Sequence, residues 1–134
     1  MATAIPDLWP ELEQSQIVPP VAILREQATA LGKKTNHLLN GRVDTRIGYD
    51  GKFRHTFYIV APTLDDYSYE LFWIEHGADQ YPVKVQGPPS NDIEILERSL
   101  DSEQELLGYI RAVLNSEKTK RVVSSLLAQV KATT

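Results

Sequence analysis

LNGRVDTRIGYDGKFRHTFYIV, residues 39–60, decides the fold. Leu39, Val43 and Ile47 recur at even spacing, with Arg42, Asp44 and Arg46 between them, which is the period of a strand with one face buried. Asp50-Gly51 then supplies the residue pair of a tight type I′ turn, and Phe53, His55, Phe57 and Ile59 resume the alternation. The stretch reads as a β-hairpin. Its outer face carries Arg42, Arg46, Lys52 and Arg54 beside Thr56 and Tyr58, and its inner face carries Phe53, His55, Phe57 and Ile59.

Downstream of the hairpin, residues 62–66 form a loop and residues 67–76 a third, aromatic-rich strand. Strict alternation places Tyr67, Tyr69, Leu71 and Trp73 on one face, with Phe72 and Ile74 on the other. Residues 81–86 read as a shorter strand, and Pro82 near its start suggests an edge. After the breaker cluster at 87–91, Ile93 and Ile95 allow a fifth strand. Ser102 with Glu105 is a capping box ahead of the apolar face Leu106, Leu107, Ile110, Val113 and Leu114. Ser116 caps a last helix bearing Val122, Val123, Leu126, Leu127 and Val130.

Upstream of the hairpin, Val21, Leu24, Ala28 and Leu31 mark an amphipathic helix started at Pro20 and stopped near Gly32. Residues 1–19 are different. Pro6, Pro10 and Pro19 deny them regular structure, yet they hold Leu8, Trp9, Leu12, Ile17 and Val18. We therefore divide the chain into an extended proline-rich apolar arm, 1–19, and one α+β domain, 20–134: an N-terminal helix, an antiparallel meander of four or five strands, and two C-terminal helices packed on one sheet face. Without helices between strands, a doubly wound parallel sheet is excluded.

Composition narrows the function classes. At 134 residues the chain supports one core, and with no cysteine it has neither disulfides nor thiolate chemistry, which favours a cytoplasmic home. No apolar run is long enough to span a membrane, and the first residues lack the pattern of a signal peptide. The net charge of −4 is unevenly spread: residues 1–24 sum to −3, 25–54 to +4, 64–105 to −9 and 106–134 to +4. Such blocks steer charged partners if the fold keeps them apart.

Three constellations merit weighing. Glu75, His76 and Asp79 are acid, base and ligand types, but adjacent strand residues point to opposite faces, so the group matches no metal or catalytic signature. His55, among rings on the inner face, reads as a core histidine with a hydrogen-bond partner rather than a general base, and His37 has no assigned role. Arg42, Arg46 and Arg54 with Tyr58 resemble a single-strand nucleic-acid platform in type, but a pI near 5.3 argues against nucleic acid.

No catalytic residue, metal or cofactor is assigned. The reading is of a non-catalytic interaction protein: a small adaptor, inhibitor, antitoxin or immunity-type partner. Its partner-binding residues are expected among Leu8, Trp9, Leu12, Tyr67, Tyr69, Trp73, Arg42, Arg46 and Arg54. The arm is expected to cover the spare rings around Tyr69 and Trp73, in its own chain or in a neighbour, which makes a homo-oligomer a second candidate partner. The alternatives are a small hydrolase or nuclease using His55 or the Glu75, His76 and Asp79 group, and a single-strand nucleic-acid binder using the basic hairpin.

Overall fold

A computed structural model describes residues 4–87 and 98–133. Helix α1 (Pro20–Lys34) leads into strands β1 (Asn40–Ile47), β2 (Phe53–Ala61), β3 (Tyr67–His76), β4 (Val83–Gln86) and β5 (Arg98–Leu100), and the chain closes with α2 (Glu103–Leu114) and α3 (Glu117–Thr133). The strands form one antiparallel sheet in the order β1-β2-β3-β4-β5, so the fold is the expected α+β meander. Pro19, in extended backbone, precedes Pro20 at the first helical position, where a missing N–H costs nothing.

Four local expectations are corrected. The hairpin turn is a five-residue connection, Gly48 to Lys52, in which Gly51 N–H donates to Gly48 O and Gly48 N–H to Lys52 O. Only Gly51 takes positive φ there, at +77°, whereas a type I′ turn needs positive φ at Asp50 as well. Helix α1 runs two residues past Gly32, which is buried and helical. The chain leaves the helix through Asn36 and His37, both left-handed, with Thr35 Oγ1 donating to Leu31 O and accepting from Leu39 N–H.

The third correction concerns β4, which is interior: it pairs with β3 on one side and β5 on the other, and Pro82 sits just before it, where no ladder bond is needed. Among the described residues the sheet edges are β1 and β5. The last strand lies at 98–100, while Ile93 and Ile95 fall outside the described residues.

The fourth matters most. The β2–β3 register shifts between Phe57 and Tyr58: Phe57 pairs with Phe72 but Tyr58 with Glu70, which leaves Leu71 as the extra residue of a β-bulge. Leu71 and Phe72 are therefore both buried in succession. Alternation is reset across them, so Tyr67 and Tyr69 lie on the helix side, opposite Ala61 and Ile59, while Trp73 lies on the outer side, opposite Thr56. The four residues expected on one face are split between two.

The core lies between the sheet and the helices. Phe57, Ile59, Leu71, Phe72, Ile74, Val83 and Val85 meet Leu24 of α1, Leu106 and Ile110 of α2, and Leu126 and Val130 of α3. Phe57 and Phe72 stack at 5.4 Å, and Tyr109 meets Phe72 edge-on. Helix α1 crosses β1 at Gly41, where a Cβ would overlap Ala28 and reach within 3.0 Å of Phe57 Cζ, so only glycine permits this approach. Ser102 accepts from Glu105 N–H and Glu105 accepts from Asp101 N–H, which is the expected capping box reaching one residue further back.

Candidate interaction surface

Register places Arg42, Arg54, Thr56, Tyr58 and Trp73 together on the outer sheet face, with Arg46 opposite Arg54. Two arginines of the basic row are engaged, with their side chains 45% and 46% exposed. The Arg54 guanidinium lies 3.9 Å from the Trp73 ring centroid while its Nε and terminal nitrogen bond Glu75 Oε2 at 3.1 and 3.0 Å. Arg42 lies 4.6 Å over Tyr58, pairs with Asp44 at 3.3 Å and donates to Ser68 Oγ at 3.0 Å. Each cation thus covers a ring and spends donors on a neighbouring acceptor, which closes part of the surface that a phosphate backbone would need.

The strand divides the Glu75, His76 and Asp79 group. Glu75 faces outward to Arg54, whereas His76 faces inward to His55. Among the described residues no group of three His, Cys, Asp or Glu side chains is placed to hold a metal ion.

His55 and His76 are diagonal neighbours across β2 and β3, a pairing recoverable from the sequence once the register is known. One arrangement of protons satisfies the whole chain of contacts. His76 Nδ1–H donates to Gly77 O at 2.7 Å, which leaves His76 Nε2 to accept from His55 Nε2–H at 2.9 Å, and His55 Nδ1 then accepts from Thr45 Oγ1–H at 2.8 Å. Phe53 stacks on His76. Burial pushes the His55 imidazolium down to about 4, with His76 and Arg25 opposing further positive charge. With 4% of its surface exposed and both nitrogens engaged, His55 presents no atom to a substrate arriving from water.

On the other side of the sheet, two apolar grooves lie beside the helices among the described residues. One, about 520 Å³, lies between α3 and the start of β3 and is lined by Tyr67, Tyr69, Leu64, Val122, Leu126 and Arg121. Asp65 and Asp66 stand next to it in sequence, both in left-handed backbone. The other, about 400 Å³, runs between α1 and α2. Its walls are Gln27, Leu31 and Lys34 of α1 and Leu107, Arg111 and Leu114 of α2, and its floor is Phe57, Ile59 and Leu71 of the sheet. Both volumes fall in the range of binding clefts.

The arm does not fill either groove in its own chain. Trp9 is 75% exposed, and Ile5, Leu8, Leu12, Ile17 and Val18 are exposed with it. The expected packing of Trp9 on the sheet around Tyr69 and Trp73 is therefore not made within the chain. Around Trp73 the cover is Arg54, and around Tyr69 the α3 groove stays open. Asp7 Oδ1 accepts from Trp9 N–H and Ser15 Oγ from Ile17 N–H, local turns that hold an extended path without helix or strand.

Among the described residues no helix is long and apolar enough to cross a membrane. No protein-family model, curated protein or solved structure matches this chain.

Proposed function

We propose that this protein acts by binding another protein chain, as an adaptor, inhibitor, antitoxin or immunity-type partner, with its N-terminal arm and its helix-side grooves as the contact elements. The observation that carries this reading is the arm. Six large apolar side chains between residues 5 and 18 stay in water on a segment stiffened by proline. Burying each such side chain stabilises a complex by roughly 1.5 to 3 kcal/mol, and the prolines limit the entropy that docking costs. The grooves beside α1 and α3 add concave apolar surface of binding-site size. The carboxylates and rings that engage Arg42 and Arg54 favour a protein over a nucleic-acid partner, and the cysteine-free composition supports a reducing, cytoplasmic setting.

Affinity capture from native lysate with the full chain and with a variant lacking residues 1–18 tests the proposal. A stoichiometric protein retained by the full chain and lost by the truncated one is expected. Capture of RNA instead, surviving at physiological salt and abolished by Arg42→Ala with Arg54→Ala, overturns it.

A further inference from the structure

We infer that the α1–α2 groove is filled by the N-terminal arm of a second copy of this chain, the two copies exchanging arms in a symmetric dimer; this rests on the arm being a binding element, as proposed above. Arm and groove are present in equal number on every chain; the arm's apolar side chains are exposed, and the groove keeps the half-buried Leu31, Leu107 and Leu114 along its walls.

Charge selects this groove over the one beside α3. The arm carries Asp7, Glu11 and Glu13 and no base. The α1–α2 groove is lined by Lys34 and Arg111 with no acid, and neither cation has an ion-pair partner among the described residues. The α3 groove offers Arg121 alone, with Asp65 and Asp66 beside its wall in sequence.

Dimensions agree. From Gln27 to Lys34 the α1 wall is about 10 Å long at 1.5 Å per residue. In extended, proline-type backbone, Leu8 to Leu12 covers about 12 Å at 3.1 Å per residue. Pro10, between Trp9 and Leu12, removes one backbone donor that burial would otherwise strand, and Gln27 and Asn115 on the groove wall supply partners for others.

Val18 and Pro19 each precede a proline, which keeps the arm's root extended as it enters α1.

The chain has no cysteine, so an introduced pair reports one contact. Pro10→Cys in the arm and Ala30→Cys on the α1 wall, combined in one full-length chain under mild oxidation, should give a covalent dimer on a non-reducing gel, with the 10–30 linkage found by mass spectrometry. The exposed substitution Arg111→Glu should weaken the dimer at least about tenfold in sedimentation equilibrium, as should Trp9→Ala. A 10–30 disulfide within a monomer, meaning the arm folds back, overturns the inference, and so does a chain that stays monomeric at high micromolar concentration without the linkage. If that monomer still captures a different protein in an arm-dependent way, arm exchange has failed and the broader proposal stands; if arm deletion changes no capture either, both have failed.

Discussion

Trp73 and Trp9 are the chain's two tryptophans, and they meet water differently. Trp73 sits on the outward face of a central strand, where the Arg54 guanidinium covers the ring and Glu75 fixes the guanidinium. Trp9 sits on an arm with no covering side chain and is three-quarters exposed. The sheet provides its own cover with charge, which keeps aromatic area available for packing without making it adhesive. The arm has no such cover, and under the proposed function its apolar area serves a partner. Substitutions in the folded body should therefore change stability, whereas those in the arm should change association.

The largest effect on stability should come from Gly41→Ala. Because α1 crosses β1 there, the added methyl forces helix and sheet apart, and we expect a loss of roughly 3 kcal/mol or more by chemical denaturation. A loss within experimental error would mean that α1 is not seated on the sheet as described, and with it the groove wall.

The buried histidine pair sets the next effect, through pH. Unfolded His55 titrates near 6.5 and folded His55 near 4. Between those values the unfolded chain binds a proton that the folded one excludes, so stability rises with pH across that window. The contribution is fully present above 6.5 and is lost as pH falls toward 4, with a slope approaching about 1.4 kcal/mol per pH unit. His55→Gln should flatten this part of the profile relative to the parent chain. An unchanged profile contradicts the buried, neutral ring, and loss of a hydrolytic activity at unchanged melting temperature would falsify its structural role.

Smaller still is Arg54→Ala, which removes one part-exposed ion pair and the cover over Trp73. We expect about 1 kcal/mol of destabilisation and greater iodide access to Trp73. If Trp73 quenching does not change, the contrast between covered and uncovered rings loses its basis.

Much of this fold was legible in the sequence because its signals are local. Alternation from Leu39 to Ile59, the Ser102 capping box and the three-and-four spacing of the helices each require only neighbouring residues. The bulge at Leu71 does not, since it is a property of two strands at once. Two successive apolar residues, Leu71 and Phe72, were the one trace it left, and without the register they read as opposite faces. The same holds for Gly41, whose role depends on where α1 crosses, and for His76, whose partner lies 21 residues away. At the candidate surface the arm's apolar content was readable, while its exposure and the grooves left between helices arise from packing that no local pattern encodes.

Trp9 emission in a Trp73→Phe chain reports directly on whether the arm is open or covered, because Trp9 is then the only tryptophan. With excitation confined to tryptophan, iodide should quench Trp9 freely in dilute protein, and binding of a second copy or another partner should shift its emission to the blue and protect it. Protection that persists at every dilution would place the arm on its own chain, and full quenching both free and in complex would leave the arm without a role in binding.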